Sequence, residues 1–308
     1  MSVMSATPTP AQFDLSGYLA LQGERVQRAL ERLVPAESIE PAVIHRAMRY
    51  SLFAGGKRVR PILAIAAAGA LGESRDVVLA PACALEMVHT YSLIHDDLPA
   101  LDNDDLRRGR PTNHKVFGDA MAILAGDALL TIAFQVVARA EGLSAAQRLA
   151  LVEELSVASG TVGGMIGGQV HDLEGEKQTP TAELLHRIHR AKTGALLRAS
   201  VRFGAIAAGK LAASEEHAAL SRYGEAVGLA FQIVDDLLDI ESTPEQLGKT
   251  PGKDAAQHKI TFPAVYGVEA SRRMAGEQLQ AAHAAVAPFG ERAGALRAIA
   301  DLIVHRNS

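Results

Sequence analysis

Apolar residues recur three and four positions apart along nearly the whole chain, the spacing of one buried helix face, and runs rich in β-branched or aromatic residues are few. The pattern is interrupted by clusters of Gly, Pro and Ser: "AGGK" at 54, "LGES" at 71, "RRGRP" at 107, "EGLS" at 141, "EGEKQTP" at 174, "ESTPEQLGKTPGKDAAQ" at 241 and "APFG" at 287. This punctuation predicts about ten helices with no long linker, so one all-α domain over residues 1–308, with 1–11 as a disordered lead-in. Two helix starts are spelled out. Ser144 and Gln147 form a capping box, and Thr179 before Pro180 has the form of an N-cap followed by proline at the first helical position.

Two of these helices end in aspartates: "YSLIHDDLPALD" and "FQIVDDLLDI". In the second, Asp235 and Asp239 are four apart and share a face, Asp236 sits about 100° round, and Gln232 lies back on the Asp235 side. In the first, His89, Ser92 and Asp96 follow helical spacing, whereas an ideal helix would turn Asp102 away from Asp96. Pro99 lies between them, and because proline kinks or ends a helix, Asp102 can swing back. Two carboxylates about 4 Å apart repel by roughly 4 kcal/mol at an effective dielectric near 20. The bland reading is a solvated charge run. The sharper one is a multivalent hard cation, which carboxylates suit and which bridges to phosphates.

The composition changes the picture little. With 308 residues, 48% hydrophobic and 21% charged, the chain can bury a sizeable core. A net charge of −4 argues against a nucleic-acid partner, so any anion site must be local. Cys83 is the one cysteine, which excludes an intrachain disulfide and fits a reducing compartment. The first fourteen residues lack the basic and apolar regions of a secretory signal. The longest apolar runs are too short to span a bilayer or are interrupted by Asp127, so a cytoplasmic protein without a membrane span is expected.

Cations to match the aspartates occur in "GGKRVRP" (Lys57, Arg58, Arg60), "LRRGR" (Arg107, Arg108, Arg110), "AKTG" (Lys192, Thr193) and the loop with Lys249, Lys253 and Lys259. Arginine forks grip phosphate bidentately and lysines act as point charges, so metal on one side and basic groups on the other suggest bound diphosphates. An EF-hand fails on spacing, since Arg107 stands where the loop needs glycine, and two P-loop-like strings lack required positions. Gly160, Gly164 and Gly168 recur every four residues, which favours a close helix crossing, with Gln169 and Asp172 able to reach a polar site.

Taken in order, "GGKRVRP", "EMVHTYSLIHDDLPALDNDDLRRGRPTNH", "GGQVHDLEGE", "AKTGAL", "FQIVDDLLDI" and "LGKTPGKDAAQHKITFPA" resemble the motifs of the trans-isoprenyl diphosphate synthases, most closely the bacterial farnesyl-making members. The resemblance covers nearly the whole chain. It implies an isoprenoid synthase fold of about ten core helices around a central cavity, usually as a homodimer. It implies that Asp96, Asp97 and Asp102, and Asp235, Asp236 and Asp239, hold up to three magnesium ions, with manganese as a substitute. Gly56, Lys57, Arg60, His89 and Arg108 match the isopentenyl diphosphate pocket. Arg107, Lys192, Thr193, Gln232, Lys249 and Lys259 match positions that hold the allylic diphosphate or stabilise charge at its C1. Tyr91 and Ser92, with the two-residue insertion in "DDLPALD", match the positions that limit the product to fifteen carbons. Geranyl and geranylgeranyl diphosphate synthases share every catalytic block. A class I terpene cyclase would not need "GGKRVRP", and non-catalytic partner subunits tend to lose one Asp-rich motif.

Overall fold

The computed structural model describes residues 13–176, 178–241 and 259–306. The lead-in 1–11, Lys249 and Lys253 lie outside the described residues. Among the described residues there are fourteen α-helices and one two-residue hairpin, β1 (Leu106–Arg107) against β2 (Arg110–Pro111). The helices are α1 (Leu15–Leu33), α2 (Ala42–Leu52), α3 (Val59–Ala70), α4 (Leu79–Asp96), α5 (Asn113–Phe117), α6 (Asp119–Ala138) and α7 (Ala145–Ser159). There follow α8 (Met165–Gly175), α9 (Ala182–His189), α10 (Ala195–Ala207), α11 (Glu215–Glu241), α12 (Phe262–Tyr266), α13 (Val268–Val286) and α14 (Gly294–His305). The count exceeds ten partly because α5 and α12 are only five residues long, each closed by a glycine at positive φ, Gly118 and Gly267.

The sequence "LAPACALEMVHTYSLI" is apolar all round rather than on one stripe, and a helix of that kind must be enclosed. Accordingly α4 is buried along most of its length, between α6, α3, α1 and α2. On its other flank α10 packs on α3 and α11, and it touches α3 so closely that a Cβ on Gly204 would sit 2.4 Å from the Ala64 carbonyl. The aspartate-bearing helix α11 is clamped by α13 and α10. Both carboxylate-tipped helices are therefore held by apolar packing, which fixes their ends without spending the carboxylates on it.

The capping box at Ser144 forms as predicted, with Gln147 N–H donating to Ser144 Oγ at 3.2 Å and Ser144 N–H to Gln147 Oε1 at 3.0 Å. The Thr179–Pro180 start does not. Helix α9 begins two residues later, capped by Thr181, whose hydroxyl accepts from Leu184 N–H at 3.2 Å. The glycine run also divides differently: Gly160 caps α7, Gly164 caps α8, and only Gly168 lies inside a helix.

Candidate active site

Helix α4 ends at Asp96, three residues before Pro99, and the chain turns back on itself: Asp102 N–H donates to the Asp96 carbonyl at 2.8 Å and Asp104 N–H to that of Asp97 at 3.2 Å. Asp102 is thus brought back beside Asp96, as the proline position predicted. Asp97 is buried and takes the Arg107 guanidinium through three contacts of 2.6 to 2.9 Å. Asp96 makes no side-chain hydrogen bond or ion pair among the described residues.

The opposite wall is α11. Gln232 leans forward to Asp236 rather than towards Asp235: its Nε2 donates to Asp236 Oδ1 at 2.8 Å, while its Oε1 accepts from Thr193 Oγ1 at 2.9 Å. Asp236 Oδ2 accepts from Phe262 N–H at 2.9 Å and faces His189 Nε2 at 3.6 Å. Asp235 is half-exposed and pairs with Arg306 at 2.8 Å; Asp239 is buried, and its Oδ1 has no hydrogen-bond partner among the described residues. Two lysines stand beside the first wall, and Thr193, next to one of them, reaches Gln232 on the second. Lys259 lies 3.8 Å from Asp102, and Lys192 donates to Asp172 at 2.6 Å while lying in the field of Asp96 and Asp102.

Lys192 and Thr193 sit in a π-turn, Arg190–Gly194, that joins α9 to α10. π-Bulges are frequent at functional sites because the extra residue re-aims side chains. Gly168 of α8 makes this approach possible, since a Cβ there would lie 2.1 Å from the Lys192 backbone nitrogen.

Two cavities adjoin here and share Arg60 and His89. One, of about 300 Å³, runs from Asp96, Lys192 and Thr193 past Ser92 and Gln169 to Tyr91, Met165 and Val170. The other, of about 360 Å³, is lined by Gly56, Lys57, Arg58, Arg108 and Arg306. The "GGKR" loop is pinned by the buried Arg58–Glu86 ion pair of 2.7 Å, with Arg58 also donating to the Leu52 carbonyl at 2.7 Å. Gly56 has φ +128°, a conformation that favours glycine, and it lies against the Arg108 guanidinium, which a Cβ there would meet at 2.7 Å and displace.

Residues 41–293 match the polyprenyl synthetase family model. The chain belongs to the polyprenyl synthetase family. A protein named farnesyl diphosphate synthase from Geobacillus stearothermophilus is 46% identical, over 96% of this chain and 99% of that one. One named geranylgeranyl diphosphate synthase from Cyanophora paradoxa is also 46% identical, over 98% and 99%. An apo crystal structure of an FPP/GFPP synthase from Zymomonas mobilis superposes with a TM-score of 0.84 at 36% identity, covering 94% of this chain and 99% of that one. This polyprenyl synthetase is therefore a prenyltransferase with the isoprenoid synthase fold.

The electrostatics of this polyprenyl synthetase divide along the two cavities. In the acidic one, burial, with Asp102 and Asp97 adding, pushes the Asp96 carboxyl up to about 6 against the pull of Lys192. Burial works to lower the Lys192 ammonium, but Asp172 and Asp96 outweigh it and the net shift is upward. In the basic one, burial lowers Arg60 to about 10, with Arg108 adding, and its Nε has no hydrogen-bond partner among the described residues. Burial and then Arg60 hold His89 well below its ordinary range, so it stays neutral. A pocket that weakens its own cations, first by burying them and then by crowding them, is short of an anion.

Every predicted residue inside the described segments, Lys259 included, stands on one of the two walls or the two cavities. Arg306 was missed. It contacts Asp235 and stacks 4.2 Å over Phe231, yet in the sequence it is only a basic residue after the last helix.

Proposed function

We propose that the enzyme condenses isopentenyl diphosphate with dimethylallyl and geranyl diphosphates and stops mainly at farnesyl diphosphate. The observation that carries this reading is the pair of adjoining cavities, one basic and one running from carboxylates into apolar residues, which share Arg60 and His89. A transfer between two diphosphates needs two such places side by side. At about 300 Å³ the apolar cavity is at the small end of ligand pockets, which favours a short product. Tyr91 is buried along it with its hydroxyl unpartnered.

The family generally uses divalent metal ions. All the candidate ligands here are hard carboxylate oxygens, and among the described residues Asp239 holds a buried oxygen with no hydrogen-bond partner and Asp96 has no ion pair; this donor set fits magnesium. Among the described residues no three such side chains are already gathered closely enough for a metal site. Asp96 and Asp102 on one wall and Asp235 and Asp239 on the other would hold the ions, with Asp97 orienting Arg107 and Asp236 orienting Gln232. Bound magnesium supplies charge neutralisation of the leaving diphosphate.

The chain's own residues do the rest. Arg107, Lys192 and Lys259 draw the allylic diphosphate and stabilise it as the C–O bond ionises to a delocalised carbocation. Thr193 and Gln232 place oxygen dipoles near C1, and the apolar wall from Met165 to Tyr91 keeps water from the cation. Lys57, Arg60 and Arg108 hold isopentenyl diphosphate so that its double bond attacks. The departed diphosphate, held beside the cation, takes the final proton.

A homodimer and a cytoplasmic location belong to the same proposal. The dimer is supported by exposed Ile123 and Leu124 on α6 and Val116 beside them. By length and composition, α6 and the segment Asp76–Asp96 could each cross a membrane, but the latter is core, and a second copy would cover the outer face of α6 equally well.

The test is product analysis with isopentenyl diphosphate and each allylic primer, for the wild type and Tyr91→Ala. The wild type is expected to give mainly fifteen-carbon chains and the variant twenty or more; chelation should abolish both. An unchanged distribution in Tyr91→Ala would move the chain-length floor elsewhere.

A further inference from the structure

A third cavity, of about 700 Å³, opens on the far side of the π-turn, between α10, α11 and α13. It shares no residue with the two cavities of the active site. Arg190, Arg198 and Arg222 line it, against the single carboxylate of Glu225, and so leave two positive charges over on a chain that is acidic overall. Arg190 and Arg222 make no hydrogen bond or ion pair among the described residues. Arg198 reaches Glu225 only at 3.5 Å, and its Nε is buried with no hydrogen-bond partner among the described residues. Guanidinium groups left unpaired around a concave surface concentrate anions, and their forks match phosphate oxygens. The floor is apolar, made by Ala226 and Leu229 of α11 and the alanines of α13. A doubly anionic head over an apolar stem satisfies both halves.

We propose that this groove is a second binding site for a prenyl diphosphate, separate from the site of reaction. The proposal rests on the prenyltransferase reading only for the identity of the ligand class. Its position has a consequence. Arg190 and Gly194 line the groove, while Lys192 and Thr193, in the same five-residue turn, line the active-site cavity. Gly194 is also wedged against α11, where a Cβ on Gly228 would stand 3.0 Å from the Gly194 Cα. An occupant gripped by Arg190 therefore acts on the turn that carries Lys192, and turnover should change once the groove fills.

The test is calorimetric titration of the full-length protein, in magnesium and with saturating isopentenyl diphosphate filling the basic cavity, with geranyl thiolodiphosphate, which cannot ionise readily, and with inorganic diphosphate. The wild type is expected to bind two geranyl thiolodiphosphates per chain, and the Arg190→Gln/Arg222→Gln double variant one, with initial rates at low substrate within twofold of wild type. Inorganic diphosphate should fill the groove at least tenfold more weakly; equal affinity would overturn the role of the apolar floor. A single binding event in the wild type, or two in the double variant, overturns the site while leaving the proposed function standing. Binding to neither protein overturns both. A change in sedimentation of the double variant would assign the groove to a second copy of the chain instead.

Discussion

His89 is held neutral by burial and by the guanidiniums of Arg60 and Arg108. An unfolded histidine titrates near pH 6.5, so below about that value the unfolded chain takes up a proton that the folded one refuses. Stability should fall as the pH drops from about 6.5, by at most roughly 1.4 kcal/mol per pH unit from this group. Urea unfolding at several pH values checks this: His89→Gln should flatten the slope, and an identical slope would remove His89 as a cause. Two other single residues separate the cavities. Lys57→Ala should raise the KM for isopentenyl diphosphate more than that for the allylic substrate, since Lys57 lines the basic cavity and Arg60 lines both, whereas Lys192→Ala should lower kcat by orders of magnitude with smaller changes in either KM. Steady-state kinetics with each substrate varied in turn decides, and equal effects of both variants would contradict the division.

Among the elements, the crossing of α8 with the π-turn is the tightest junction that touches the chemistry. A methyl on Gly168 would overlap the Lys192 backbone, so the two segments must part. Gly168→Ala should cost about 1–3 kcal/mol of stability, the usual range for overpacking, and should reduce kcat as well. Gly276, inside α13, has nothing within 4 Å of a built Cβ, so Gly276→Ala should stabilise by about 0.4–1 kcal/mol and leave turnover unchanged. Unfolding curves and kcat for the two variants form a matched pair, and equal responses would show that the crossing does not govern Lys192.

For the whole molecule the open question of physical chemistry is the outer face of α6. Ile123 and Leu124 are 45% and 50% exposed on a helix whose sequence is almost wholly apolar. A second copy packed on this face would remove that surface from water. Analytical ultracentrifugation should give twice the chain mass for the wild type and a shift towards the chain mass for Leu124→Asp. A monomeric wild type would overturn the dimer.

Local signals alone settled a good deal. Helical spacing gave the all-α class because burial periodicity belongs to each helix by itself, and Pro99 ended α4 because a proline cannot continue it. The aspartates, the "GGKRVRP" loop and "AKTG" were legible because metal and diphosphate chemistry demands those residue types close together in sequence. Other features depend on segments far apart in the chain, and only the tertiary structure decided them. Asp97 is spent on Arg107 and Gln232 on Asp236 and Thr193, so neither pairing could be read from helical phase. Asp172 reaches Lys192 from another helix, and Arg306 closes on Asp235 from 71 residues further on. The start of α9 at Thr181 was decided by whichever hydroxyl could reach a free backbone N–H, a matter of angle rather than of residue type. The groove behind the π-turn joins arginines of two packed segments, α10 with its preceding turn and α11, over the alanines of α13. Each is unremarkable in its own stretch, and their shared cavity exists only once the helices pack.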